Sequence, residues 1–333
     1  MLHTSDDFLR AIALQPRERT VRLVYSDWLT EHDDPRGELI RIEEEMRTLP
    51  AFDDRFWELK PRRNQLRADA GTEWCARMRY GTECEPVFAH GVPDGWRARW
   101  RLVREFTERW HRIPMPDVGG HQAEIAEAEE RLGRPLPPAV REWVAFARDI
   151  TEAPGDREAL GSVHLAPLPG GFLSLAFIPD ELGNIDFFST VPFEELHRLD
   201  PPVYRASFDD GDAHAAVRSG NKPQAATVTE FALAHVVSLA PGAGGGFVVV
   251  LDQLADLYRH LKSSFASHSI LGEREWDEAD NLLVEVEPAP AQRGKFVVTV
   301  SASAAIRRLQ VPEFLWRYAR LSEHPTGIFA QPG

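Results

Sequence analysis

Two breaker-rich stretches constrain this chain more than any other feature: HRIPMPDVGGH at 111–121 and LAPGAGGG at 239–246. Clustered proline and glycine continue neither a helix nor a central strand, so each stretch closes one packing unit and opens another. At 333 residues the chain is also longer than a single small core needs. Three units are therefore expected, over 1–115, 119–240 and 245–333. Their pattern is α+β: an N-terminal helical domain with a short strand region, a mixed α+β domain, and a β-α-β-β-α unit.

The first unit reads as helices. Ser5 is placed to cap one, with Asp6 and Asp7 in its first turn, where carboxylates favour the helix dipole. Phe8, Leu9, Ile12 and Ala13 share a face. Pro16 breaks that run, and Val21, Val24, Tyr25, Trp28 and Leu29 follow the 3.6-residue period of a second helix. Asp33-Asp34-Pro35 ends it, because a proline ring disfavours α geometry in the residue before it. Leu39, Ile42 and Met46 mark a third.

Within this stretch Arg22-Leu23-Val24-Tyr25, Asp27-Trp28-Leu29, Asp34-Pro35-Arg36, Glu38, Ile40 and Arg41 match a known pattern. Over about 40 residues the chain resembles the bacterial repeat-companion domain, and VFAHGVPDGWRARW resembles the short strand that often follows it. That family brings no biochemical role with it. The expectation is a helical packing unit with Trp28 in its core and no catalytic residue.

In the second unit, Ile125 and Leu132 are spaced for one helical face. Gly133 stops that helix as a C′ residue, and Pro137-Pro138 opens another with Val140, Trp143, Val144 and Ala147 inward. Ile125, Glu129, Leu132, Gly133, Leu136, Pro137 and Trp143 form the pattern I-x3-E-x2-L-G-x2-L-P-x5-W. It resembles the opening of the SUKH superfamily, the Smi/Knr family of bacterial immunity proteins and fungal cell-wall regulators. FLSLAFIPDELGNIDFF then reads as two strands about a Gly183-Asn184 turn, PPVYRASF as a further strand and ATVTEFALAHVVSLA as a closing helix. DGDAHAAVRSGNKPQA stands out as an insert. In the third unit a strand at 247–251, a helix with Leu254, Leu257, Tyr258 and Leu261, the alternating pair NLLVEVE and KFVVTVS, and a last helix with Phe314, Leu315 and Tyr318 are expected.

Composition narrows function. The net charge is -14, of which -13 falls after residue 115. Nucleic-acid affinity rests on cationic side chains, so an acidic second half argues against it and favours a basic protein partner. Two acidic runs are candidate partner-binding patches: Asp209, Asp210 and Asp212 in one, Glu273, Glu275, Asp277, Glu278 and Asp280 in the other. Neither has the alternating oxygen ligands of a calcium loop. Gly242 to Gly246 precede a strand instead of joining strand to helix, so they read as a linker and not a phosphate cradle. No His-Glu-x-x-His or Gly-x-Ser-x-Gly occurs, and Cys75 and Cys84 fit no zinc pattern. No apolar run approaches the ~18 residues of a membrane span, and no secretion signal opens the chain. The sequence thus favours a non-enzymatic, cytoplasmic protein with no cofactor, no metal and no membrane partner. The SUKH resemblance implies an immunity-type protein that neutralises a bacterial toxin by direct binding. The alternative is a regulatory or scaffold adaptor linking two proteins.

Overall fold

The fold is α+β. The computed structural model describes residues 4–15, 18–80, 86–153, 163–179, 185–209, 212–218, 222–240, 245–264, 266–269, 275–279, 281–289, 294–302, 311–326 and 329. Five helices come first: α1 (Ser5–Leu14), α2 (Arg19–Glu31), α3 (Arg36–Met46), α4 (Asp54–Ala70) and α5 (Thr72–Arg77). The cap of α1 is Thr4 and not Ser5: its hydroxyl accepts from the Asp7 N–H while the Asp7 carboxylate reaches back to the Thr4 N–H, a reciprocal capping box. Phe8, Leu9, Ile12, Tyr25, Leu29, Leu39, Ile42 and Met46 are buried together with Phe56, Trp57, Trp74 and Met78.

The face that α2 buries is rotated from the apolar stripe expected for it. Val24 is 49% exposed and Trp28 is half-buried, whereas Arg22 and Ser26 are fully buried. Polar groups go inside only when bonded, and both are. The Arg22 guanidinium donates to the Met78 carbonyl at 3.0 Å and lies 3.8 Å from Glu44. The Ser26 hydroxyl donates to the Gly37 carbonyl at 2.8 Å. Trp28 instead lies across the edge of the core, 6.1 Å from the Tyr25 ring and 4.1 Å from His32.

The expected strand over VFAHGVPDGWRARW is a turn followed by helix α6 (Trp96–Phe106), which runs on into a π-helical turn at Thr107–His111. Trp96, Trp100, Val103, Phe106 and Trp110 recur at helical spacing, and that period overrides the local turn residues. This helix belongs to the central core and not to the N-terminal one. Trp100 packs on Trp143 and Phe146, and its ring N–H donates to the Ala139 carbonyl at 3.1 Å. Residues before and after 111–121 therefore share one hydrophobic cluster, and the breaker-rich stretch lies within it.

After α7 (Gln122–Leu132) and α8 (Pro138–Glu152), five antiparallel strands form a meander in chain order. They are β1 (Val163–Leu168), β2 (Phe172–Pro179), β3 (Ile185–Pro192), β4 (Tyr204–Asp209) and β5 (Asp212–Arg218), and α9 (Val228–Ser238) follows. The supposed insert supplies β5, which pairs Ala216 with Phe208 and Arg218 with Ala206. The Gly183-Asn184 turn lies outside the described residues.

The C-terminal unit runs β6 (Gly245–Leu251), α10 (Ala255–Ser264), β7 (Ala266–Ser269), β8 (Glu275–Ala279), β9 (Leu282–Pro288), β10 (Phe296–Ala302) and α11 (Glu313–Ala319). The sheet order is β6-β10-β9-β8-β7. The expected β-α-β-β-α pattern thus lacks two strands, both polar and so poor in β-formers. Gly245 and Gly246 are strand residues, not linker. Phe247, Val249, Leu257, Val284, Val298 and Leu315 centre this core. No helix among the described residues is long and apolar enough to cross a membrane.

Gly37 sets the spacing of α2 and α3. A methyl group there would stand 2.6 Å from the Thr30 hydroxyl and 2.8 Å from the Ser26 carbonyl. Gly37→Ala should lower the stability of the N-terminal helices by about 1–3 kcal/mol through overpacking. Urea denaturation checks this, and an unchanged midpoint would show that the helices separate freely.

Candidate functional site

The seven residues of the pattern I-x3-E-x2-L-G-x2-L-P-x5-W are consumed in folding. Ile125 and Trp143 are fully buried and Leu136 is 4% exposed. Gly133 closes α7 with a left-handed φ of 65°, which a residue with a Cβ rarely adopts. The Glu129 carboxylate accepts the Leu136 N–H at 2.9 Å and lies 3.7 Å from Arg141, fixing the turn between the helices. The Trp143 ring N–H donates to the Leu175 carbonyl at 3.0 Å and ties α8 to β2. The pattern is one structural device: a helix hairpin clamped to a sheet.

The two acidic runs sit on strands. Asp209 ends β4 and pairs with Asp212 at the start of β5. Glu275, Asp277 and Glu278 lie on β8, pairing across β9 with Val286, Val284 and Leu283. Asp210, Glu273 and Asp280 lie outside the described residues. The two runs belong to different sheets.

A buried ionic cluster occupies the expected inter-domain boundary. The Arg104 side chain is fully buried on α6, donates to Asp149 on α8 at 2.5 Å, and lies 3.5 Å from Glu142. It also donates to the Pro116 carbonyl at 3.4 Å. Burial raises the Glu142 pKa, an effect that the Arg104 charge only partly offsets. His121 Nε2 lies 2.8 Å from the second Asp149 oxygen. Arg101 donates to both oxygens of Asp117 at 2.8 Å. These bonds pin the Pro/Gly stretch to two helices.

Beside it lies a histidine pair. The His111 ring bonds the Val236 carbonyl through Nε2 at 2.8 Å. Its Nδ1, and Nε2 of His235, are buried without a hydrogen-bond partner. Burial, and then the neighbouring His111, pushes the His235 pKa down to about 4. Burial also lowers that of His111, against the opposing effect of its carbonyl bond. Both rings are therefore neutral at pH 7.

The third feature is a cleft of about 170 Å3 between α3, α4 and the π-helical turn that extends α6. Its wall is apolar at Met46, Leu49, Phe56 and Val87, and cationic at Arg63, Arg67, Arg109 and Arg112. Nothing local in the sequence marked these arginines, which come in pairs from α4 and from the π turn with the residue after it. Nearby, Cys75 is a poor nucleophile: burial raises its thiol pKa, with Arg67 opposing only in part. Cys84 lies outside the described residues. Among the described residues, no three His, Cys, Asp or Glu side chains converge as metal ligands.

Two predictions follow from these clusters. Asp149→Ala would leave the Arg104 charge buried and poorly matched, and should cost about 3–5 kcal/mol. Glu152→Ala, which breaks only the exposed pair with Arg148, should change stability by under about 0.5 kcal/mol; equal effects in calorimetry would refute the clamp. The histidines set a pH window. Unfolded His235 takes its proton near pH 6.5 and the folded form only near 4. Its contribution is therefore complete above about pH 6.5 and is lost as pH falls toward 4. Urea midpoints at several pH values should be less acid-sensitive in His235→Leu than in the parent chain.

Comparison with models of known families, with curated proteins and with solved structures finds no match for this chain.

Proposed function

We propose that the chain is a cytoplasmic protein-binding module of the immunity type, whose SUKH-like central unit masks a basic bacterial toxin by direct contact. The observation that carries this reading is the joint geometry of the seven motif residues. Glu129, Gly133, Leu136 and Trp143 act together to build one hairpin on one sheet, which supports reading the pattern as one structural unit. The charge supports the choice of partner, since -13 of the net -14 follows residue 115. The adaptor reading draws on a different observation: the N-terminal helices keep a hydrophobic cluster of their own, separate from the central one. A second docking module could use that independence.

A pull-down from the native organism identifies the partner, and association kinetics test the mode of binding. Rim charges act mainly on the on-rate, and salt screens them over roughly 8–10 Å at physiological ionic strength. Raising salt to about 0.5 M should slow association far more than it speeds dissociation. Neutralising Asp209 with Asp212, or Glu275 with Asp277 and Glu278, to Asn and Gln should slow it similarly wherever that run lines the interface. An acidic partner, or an on-rate indifferent to salt, would overturn the toxin-masking reading in favour of the adaptor.

A further inference from the structure

The cleft beside the π-helical turn concentrates positive charge in an otherwise acidic protein. Arg47, Arg63, Arg67, Arg109 and Arg112 line it against three carboxylates, Glu43, Glu105 and Glu108. Those carboxylates are already engaged. Glu43 takes Arg67 in a two-pronged pair at 2.5 and 2.9 Å. Glu105 and Glu108 share the buried Lys60 amine at 2.7 and 3.0 Å, and Glu108 also lies 3.6 Å from Arg63. Arg47 lies 3.5 Å from Glu44. Counting Lys60 and Glu44, six cations meet four anions among the described residues. Burial raises the Glu105 pKa, but Lys60, then Arg63 and Arg109, outweigh it and hold it below the ordinary carboxylate range. Among the described residues the cations thus outnumber the anions even with Glu105 counted as charged.

The backbone is bent to place two of these arginines. Thr107–His111 forms a π turn, a rare geometry that recurs at functional sites. Arg112, next in the chain, has φ of 59°, a left-handed conformation uncommon for a residue with a Cβ. Its guanidinium is exposed and is engaged by no other described residue. His90 lines the same mouth and is also exposed. In the cleft wall, the Tyr80 hydroxyl is buried without a hydrogen-bond partner, its ring lying between Arg22 and Arg67.

We propose that this cleft binds a small amphipathic oxyanion, a carboxylate or phosphate group carried on a ring or short alkyl body. A guanidinium fork matches the oxygens of either group with paired, charge-assisted bonds. A bare ion would leave the wall of Met46, Leu49, Phe56 and Val87 unused; an apolar body covers it, as in most small-molecule sites. The site is independent of the partner-docking reading, since the acidic strands contribute nothing to it.

Titration calorimetry on the full chain, with phenyl phosphate, benzoate, inorganic phosphate and phenol as probes, tests the proposal. Phenyl phosphate or benzoate should bind at least about tenfold tighter than both inorganic phosphate and phenol, because only they use both walls. Which of the two binds better distinguishes phosphate from carboxylate recognition. Arg112→Ala, at an exposed side chain, should weaken binding by about fivefold with an unchanged melting temperature. Arg10→Ala, on the exposed face of α1 and not lining the cleft, should leave affinity unchanged. Phenol binding as well as phenyl phosphate, equal losses in the two arginine variants, or no heat from either amphipathic probe up to about 10 mM would overturn the assignment.

Discussion

The structure turns on one buried guanidinium. Arg104 has no exposed surface; its Nη1 donates to Asp149 and to the Pro116 carbonyl, and Glu142 lies 3.5 Å from its Nη2. Removing such a charge from water costs several kcal/mol, which only close, well-directed partners offset. The requirement disciplines everything nearby. The Pro/Gly stretch must present a carbonyl at Pro116, α8 must present Asp149 and Glu142 at helical spacing, and α6 must reach far enough to deliver Arg104 between them. With α6 so fixed, Trp100 falls against Trp143 and Phe146, and the π turn that follows is held beside α9 through His111 and Val236.

The N-terminal helices use the same solution. Arg22 is buried against Glu44 and the Met78 carbonyl, and Lys60, 3% exposed, reaches from α4 to Glu105 and Glu108. Lys60 also stands 4.0 Å above the Trp57 ring, a cation–π contact that steadies it. The join between the N-terminal layer and α6 is thus largely ionic, while each side keeps its own apolar cluster. Two surfaces held by long charged side chains pack less completely than two interlocked apolar faces. A cleft lined by arginine and glutamate at that join is what such a seam leaves.

Parts of this were legible in the sequence and parts were not, for physical reasons. Period carries far: Leu39, Ile42 and Met46, the α7–α8 hairpin, and the alternation of β9 against β10 all stand where their spacing puts them. It misleads where a polar residue takes an inward position, because Arg22 and Ser26 look solvated until their partners at Glu44, Met78 and Gly37 are known. Strands β7 and β8 hide because ASHS and EWDEA have little β-propensity and gain their place from neighbours on the sheet. The boundary at 111–121 misleads differently. Proline and glycine mark where regular structure stops, but whether cores separate there depends on Arg101 and Arg104, whose partners lie up to 49 residues away. The cleft had no sequence signal, since its arginines come from the end of α3, from α4, and from the π turn and the residue after it, and no single window contains them.

The contrast between a net charge of -14 and a cationic cleft has a kinetic consequence. At low ionic strength the whole chain repels small anions, and the cleft attracts them only at short range. Salt screens the distant acids first, because their effect must cross more than a Debye length of solvent, roughly 8 Å at physiological strength. The arginines at the mouth act across a few ångströms between low-dielectric walls, where screening is weak and field lines are focused. Moderate salt should thus weaken the repulsion more than the attraction. The cleft can accordingly favour small anions more as ionic strength rises from low to moderate, without any change of shape.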